Sequence, residues 1–261
     1  MTITFPGTLV CVGVGALLDA HITPATHRRI AQSDVVFAAH LDPATLCALR
    51  RLNDNVRCLQ TDTATRNSVL ESDDMTVELV LDELRRGKNV TAAFLGHPSR
   101  ASSTANLLVR AAHQEGFQAT FEPAISIEDC IYAHLRIDPG KFGCQQYDVS
   151  QIMLYRRSID TSAYLLLWKF GEGGMRPPAR RRLLLDVLYR EYPLDHRVFL
   201  YVPPVLGGPY SFTECMMGSL VEIEAHPQMA IVIPPATDLL PDPDIRARLS
   251  LLEEVSSSAP T

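Results

Sequence analysis

No stretch of this sequence approaches the roughly 18 consecutive apolar residues that a membrane-spanning helix needs. The N-terminus, Met1-Thr2-Ile3-Thr4-Phe5-Pro6, lacks the basic-then-apolar order of a secretory signal. No membrane association is expected, and the default location is the cytoplasm. Basic excess is also missing: 24 Lys and Arg stand against 30 Asp and Glu, a net charge of −6, which argues against a polyanion-binding surface and against nucleic acid as a partner. The six cysteines, Cys11, Cys47, Cys58, Cys130, Cys144 and Cys215, form no close pair and have no histidine at metal-ligand spacing. They read as buried or free thiols, and no metal is expected. Internal repeats are absent, and only the tail Ser256 to Thr261 reads as disordered.

What the chain does have is 261 residues that are 46% apolar and 21% charged, enough for two modest lobes with a core each. In the first half, strand and helix signals alternate. Thr8 to Val14 is a short apolar strand, Thr23-Pro24 caps a helix that runs through Ile30, and Val35 to Ala38 is the next strand. Met75 to Arg86 carries helical periodicity, with Val77, Val80, Leu81 and Leu84 on one face and Gly87 closing it. A strand at Val90 to Phe94, a helix from Ser102 to Glu115 and a strand at Gln118 to Phe121 complete an alternation that favours a mostly parallel sheet.

After about Gly143 the texture changes. Ser150 to Tyr155 and Tyr164 to Phe170 read as consecutive strands, a Gly/Pro/Arg-rich loop spans Gly171 to Arg182, and a helix follows from Leu183 to Glu191. Strands at Val198 to Val202 and Met229 to Ile233 close the chain's second half. The reading is an α/β protein with an N-terminal lobe at 1–122, a C-terminal lobe with a mixed sheet at 123–245, and a tail at 246–261.

The pattern with most chemical content is Gly96-His97-Pro98 at the end of the apolar run Val90 to Leu95, together with Val12-Gly13-Val14-Gly15. Both mark strand ends that deliver backbone to one cleft, and parallel α/β sheets bind small molecules outside the carboxyl ends of their strands. Plainer readings stand beside these. A Gly-x-Gly turn serves strand-to-helix connections whatever they bind. His97 can simply shape the turn before Pro98, Trp168 can be core, and Arg66 can be a solvated loop residue. Asp73 and Asp74 suit a first helical turn. Arg176, Arg180, Arg181 and Arg182 read first as a solvated basic loop.

Several segments, in order and at matching intervals, resemble the tetrapyrrole-methylase superfamily, two-lobed α/β enzymes that use S-adenosylmethionine. They are Leu9 to Gly15, Phe94 to Pro98, Glu115-Gly116-Phe117, Pro123 to Cys130, Ile137-Asp138-Pro139, Gly143-Cys144-Gln145, Leu166-Leu167-Trp168, Tyr192 to His196 and Ile233 to Ala236. More narrowly they look like the split borosin peptide backbone α-N-methyltransferases, because tetrapyrrole methylases usually carry Asp where His97 stands. The resemblance implies S-adenosylmethionine folded between the lobes. Gly13 and Gly15 would line the entrance. The backbone of Gly96, His97 and Pro98, with Arg100, would hold the methionine part. Ser126, Ile127, Trp168, Lys169, Pro234, Pro235 and Ala236 would surround the adenosine.

The implied reaction is methylation of backbone amides in a precursor peptide, a step in the biosynthesis of ribosomally made, post-translationally modified peptides. An amide nitrogen is a poor nucleophile because its lone pair is delocalised into the carbonyl, so help with its proton and with charge on the oxygen is required. The family assigns this to tyrosines and an arginine before the Gly-His-Pro strand. Here the segment Leu59 to Met75 supplies Arg66 and no tyrosine. Leu95, Ser99, Ala124 and Lys169 are further departures. The tail Ser250 to Thr261 does not resemble an apolar core peptide, so a separate precursor peptide is expected as partner, with a homodimer completing the acceptor cleft. Two alternatives stay open: a methyltransferase acting on a tetrapyrrole or other small acceptor, and a cofactor-binding subunit without activity.

Overall fold

The computed structural model describes residues 6–39, 41–59, 69–100, 103–171, 175, 177–203, 209–224, 226 and 228–257. The first sheet is built from β1 (Thr8–Gly13), β2 (Val35–Ala39), β3 (Val56–Leu59), β4 (Asn89–Phe94) and β5 (Gln118–Glu122), all parallel, in the order β3-β2-β4-β1-β5. Between them run α1 (Leu18–His21), α2 (Pro24–Gln32), α3 (Pro43–Leu52), α4 (Val69–Arg85) and α5 (Ser103–Gln114). Thr23 caps α2 by accepting from the Thr26 amide at 3.1 Å, and Asp42 caps α3 by accepting from the Ala44 and Thr45 amides.

β1, β2 and β4 are apolar at nearly every position because helices cover both faces of the sheet. Leu9, Cys11 and Phe94 pack with Val80 and Leu84 of α4 and Leu108 of α5. Val10, Val12 and Ala93 pack on the opposite face, with Ile30 of α2 and Leu46 and Leu49 of α3. The chain leaving β1 therefore turns to one face and the chain leaving β4 to the other. Since β1 and β4 are neighbours, their carboxyl ends flank a topological switch point, the crevice where such sheets take ligands.

The second half contains α6 (Ile127–Leu135), α7 (Pro139–Phe142), β6 (Cys144–Asp148), α8 (Val149–Leu154), β7 (Tyr164–Trp168), α9 (Pro178–Leu188), β8 (Arg197–Val202) and β9 (Ser211–Met216). A 3₁₀ turn at Met217–Val221, β10 (Ala230–Ile233) and α10 (Pro243–Ser257) follow. Its sheet has the order β6-β7-β10-β8-β9, parallel between β6 and β7 and antiparallel elsewhere, which makes it mixed as expected. Leu165, Leu167, Ile231 and Ile233 face Val149 and Ile152 of α8 and Leu184 and Leu188 of α9. Leu166, Ala230 and Val232 face α6 through Cys130 and Ile131, together with Ala16 of the N-terminal sheet's loop. That second core joins the two halves.

Several expectations are corrected. Ser150 to Tyr155 is not a strand: Asp148 stands at the N-cap position of α8, and Val149 and Ile152, three apart, are the buried pair of a short helix. The helix expected at Leu183 to Glu191 begins earlier, at Pro178, because Pro177-Pro178 opens a helix instead of extending the loop. The basic run is not wholly solvated, since Arg181 is buried and donates from Nε to the Val221 carbonyl at 2.8 Å. α10 carries helix through Ser257, into the stretch read as disordered. Among the described residues no helix is long and apolar enough to cross a membrane.

Candidate functional site

Three glycines knit the switch point. Gly15 and Gly96 pair reciprocally, the Gly15 amide donating to the Gly96 carbonyl at 3.2 Å and the Gly96 amide to the Gly15 carbonyl at 3.0 Å. Both have left-handed φ, +74° and +66°, which favours glycine. Gly13 has no room for a side chain, as a Cβ there would lie 2.0 Å from the Gly96 carbonyl oxygen and 2.6 Å from Ala124 Cβ. This corrects one expectation about mechanism: the Gly96 amide is spent on Gly15 and is not presented to a ligand.

A Cβ on Gly96 would point at the N-terminus of α6, 3.6 Å from the Ile127 nitrogen and 3.9 Å from Ser126 Cα. The turn after β4 and the first turn of α6 therefore form one corner. Ser126 is itself committed to that helix. Its hydroxyl accepts from the Asp129 amide at 3.0 Å while the Asp129 carboxylate accepts from the Ser126 amide, a reciprocal capping box.

His97 follows Gly96 and is half-buried. Its Nδ1 accepts from the Ser99 amide at 3.3 Å and lies 3.0 Å from the Ser99 hydroxyl. That places the ring proton on Nε2, which has no protein partner among the described residues and is a free donor at the corner. Pro98 is buried beneath it.

Arg100 reaches across to the second sheet. Its guanidinium pairs with Glu128 Oε2 at 2.9 Å, lies 5.5 Å from the centroid of the Trp168 ring and donates to Gln146 Oε1. Trp168 Nε1 donates to the same Gln146 oxygen at 3.2 Å. Tyr132, one turn beyond Glu128 on α6, donates to Glu128 Oε1 at 2.5 Å and accepts from Gln146 Nε2 at 2.9 Å. Burial, the neighbouring Cys144 thiol and the Glu128 carboxylate push the Tyr132 phenol far above its ordinary pKa, so it stays a donor. Lys169, next to Trp168, holds a left-handed φ of +63° and pairs with Asp148 Oδ2 at 3.0 Å.

The structure thus gathers Gly13, Gly15, Gly96, His97, Pro98, Ser126 and Ile127 at one corner and links them through Arg100 to Trp168. It does not bring Pro234, Pro235 and Ala236 to Trp168. Ile233 pairs with Leu165 and Ile231 with Leu167 in antiparallel register, so the Pro-Pro-Ala segment leaves the opposite end of β7. There the Pro234 carbonyl lies 3.0 Å from His196 Nε2, and the Ala236 amide donates to the Thr161 carbonyl at 2.8 Å. Arg66 lies outside the described residues, as do the side chains of Asp73 and Asp74. Glu128 and Gln146 were not singled out in the sequence. The available signal was a glutamine inside a strand, paired in register with the fully buried Leu166.

A family model described as Tetrapyrrole (Corrin/Porphyrin) Methylases matches residues 8–200. The chain belongs to that family. Among solved structures it is similar to the methyltransferase CobJ, with a TM-score of 0.64 and 14% identity over 91% of this chain and 98% of that one. It is also similar to uroporphyrin-III-C-methyltransferase from Thermus thermophilus, with a TM-score of 0.63 and 14% identity over 88% and 92% of the two chains. At such identities these matches establish the tetrapyrrole-methylase fold alone.

Two curated relatives are closer in sequence. A methyltransferase/ribosomally synthesized type I borosin cyclic peptide precursor of Mycena rosella is 31% identical over 82% of this chain and 54% of its own length. The gymnopeptides precursor of the same kind from Gymnopus fusipes is 30% identical over 94% and 61%. The chain therefore spans a little over half the length of these relatives. Both unite methyltransferase and precursor in one polypeptide, and this overturns the expectation of a separate precursor peptide: the borosin resemblance holds, but to the fused kind.

The corner fits the cofactor that this tetrapyrrole-methylase resemblance implies. Gly96 sets its backbone against the first turn of α6 with room there for no more than a methyl, His97 offers a free N–H, and the face of Trp168 not covered by Arg100 suits a flat group.

Proposed function

We propose that this chain is the S-adenosylmethionine-dependent methyltransferase unit of a borosin-type system, acting on backbone amides of a ribosomally synthesized peptide. What carries the reading is the borosin relatives' match over most of the chain; the corner between the two sheets supports it. Gly96, His97, Arg100, Ile127 and Trp168 would hold the cofactor, with Gly13 and Gly15 shaping the entrance and Lys169 at its edge. The bound cofactor supplies a methyl group already activated on a sulfonium.

The protein's task is then alignment in a site that excludes water. His97 Nε2 donates to a polar or anionic end of the cofactor. The Arg100 and Trp168 pair walls off solvent on the side of the second sheet. For the acceptor amide, Arg66 is the proposed group that stabilises charge on the carbonyl oxygen as the nitrogen loses its proton; Arg66→Ala slows transfer and leaves cofactor affinity unchanged. A homodimer is part of the reading. It is supported by β9, an edge strand of its sheet on which Phe212 and Met216 are 45% and 49% exposed.

The test is to express the chain with the precursor segment of the Mycena rosella relative fused at its C-terminus, add S-adenosylmethionine and map methyl groups by tandem mass spectrometry. Methyls on backbone nitrogens support the reading. Cofactor binding with no methylation anywhere on the fused segment contradicts it.

A further inference from the structure

The contacts around Gln146 form a closed set that the cofactor corner alone does not explain. Its side-chain amide meets four groups from three other elements: Arg100 after β4, Glu128 and Tyr132 on α6, and Trp168 on β7. The oxygen faces two donors, the Arg100 guanidinium and the Trp168 indole N–H. The nitrogen faces two acceptors, the Glu128 carboxylate and the Tyr132 oxygen. That orientation satisfies every partner, whereas its flip would set the nitrogen against the Arg100 and Trp168 donors and the oxygen against the Glu128 carboxylate, so the amide is held one way.

Arg100 needs such a device. Its side chain is 39% exposed, and a partly exposed ion pair with Glu128 is too weak by itself to immobilise a long side chain with many rotamers. Gln146 ties the guanidinium to the indole N–H through one shared oxygen, while Glu128 anchors both to α6. We propose that Gln146 is a positioning residue that locks Arg100 and Trp168 into the wall of the donor pocket, so that the pocket's shape is set by this amide before any ligand enters. This rests on the donor-site reading above. It adds that the second sheet controls cofactor affinity through a group that need not touch the cofactor.

The charged and titratable groups packed around the amide are Arg100, Glu128, Tyr132 and Cys144, and the test exploits them. Gln146→Glu keeps the shape and the oxygen that Arg100 and Trp168 use. When ionised it sets a second carboxylate against Glu128; when protonated it regains a donor and imitates the amide. Trp168 is the chain's sole tryptophan, so intrinsic fluorescence reports on the clamp without any ligand.

For the full chain, calorimetry with S-adenosylhomocysteine should show Gln146→Glu binding at least about tenfold more weakly than wild type near pH 8, the ratio narrowing only as pH falls toward about 4, where a glutamate begins to protonate. Trp168 emission of the ligand-free variant should be red-shifted at the higher pH and return at the lower, with wild type unchanged in both. Tyr132→Phe, which removes one hydroxyl and no charge, should show a smaller loss of affinity at every pH, and it keeps the question answerable if Gln146→Glu does not fold. Wild type that binds, with variants that match it in affinity, overturns the clamp and leaves the donor site standing, whether or not the emission moves. Wild type that does not bind S-adenosylhomocysteine overturns both.

Discussion

Replacing Gly13 by alanine adds a single methyl at the point where β1 and the turn after β4 approach most closely. The new Cβ would sit 2.0 Å from the Gly96 carbonyl oxygen and 2.6 Å from Ala124 Cβ, against roughly 3.5–4.0 Å for a comfortable contact. Neither neighbour is the tip of a flexible side chain, so the backbone itself must move by more than an ångström. That displacement acts on the reciprocal Gly15 and Gly96 hydrogen bonds, each worth about 0.5–1.5 kcal/mol net, on top of roughly 1–3 kcal/mol for overpacking. The expected destabilisation is about 2–5 kcal/mol, or on the order of 5–15 °C in Tm for a chain of this size.

Two other glycines supply the controls. Gly116 has φ +83°, and a methyl placed on it would meet nothing within 4 Å, so Gly116→Ala isolates the backbone strain of a left-handed residue, about 1–2 kcal/mol. Gly96→Ala adds only ordinary contacts at 3.6 Å to the same strain. Urea unfolding followed by circular dichroism and by Trp168 fluorescence should rank Gly13→Ala as clearly the most damaging, with Gly96→Ala near Gly116→Ala. A Gly13→Ala protein as stable as the Gly116 variant would refute the claim that the two strand ends are locked together.

The Glu83 carboxylate, 2% exposed, meets Arg57 at 3.0 Å, Arg86 at 2.7 Å and Lys88 at 2.9 Å. Hydrogen bonding from Lys88, then the Arg57 guanidinium, hold its pKa below the usual carboxylate range against the opposing effect of burial. The stabilisation is therefore complete above the unfolded value near 4.3 and is lost as pH falls through the lower folded value. Wild type should exceed Glu83→Gln by about 1–3 kcal/mol at neutral pH, and denaturant titrations should show the gap shrinking in acid. Asp42→Ala removes the α3 cap and should lower stability by about 1 kcal/mol; an unchanged urea midpoint would contradict the capping assignment. Arg100→Met should weaken S-adenosylhomocysteine binding with little change in Tm, because the residue is partly exposed and its partners Glu128 and Trp168 retain other contacts.

The parallel sheet was legible because helices cover both its faces, which leaves runs such as Leu9 to Val12 and Val35 to Ala39 apolar at every position. Strands with other surroundings were not. β3 reads Val56-Arg57-Cys58-Leu59 and is half exposed at the sheet edge, and β9 is exposed nearly throughout, so neither carries a burial pattern. β6 reads Cys144-Gln145-Gln146-Tyr147-Asp148, an edge strand that is half-buried at every position and so shows no apolar run. α10 buries none of its residues whose side chains are described, so its apolar positions gave no consistent helical face.

The site followed the same division. Glycines and Gly96-His97-Pro98 are visible in a sequence because turn geometry demands them. Glu128, Tyr132 and Gln146 are ordinary residues that matter only once α6, β6 and β7 are folded against the turn after β4. The Pro234-Pro235-Ala236 segment shows the converse, since a strand end is easily recognised in sequence but its end of the sheet depends on antiparallel register.

The corner between the Gly96 turn and the α6 N-terminus is the proposed cofactor site, and calorimetric titration of S-adenosylhomocysteine into wild type and Gly96→Arg decides whether it is. A side chain at Gly96 would project toward the Ile127 nitrogen 3.6 Å beyond its Cβ position, filling the corner. One-to-one binding by wild type and none by a folded Gly96→Arg protein is the expected outcome; equal affinity in the two would place the cofactor elsewhere.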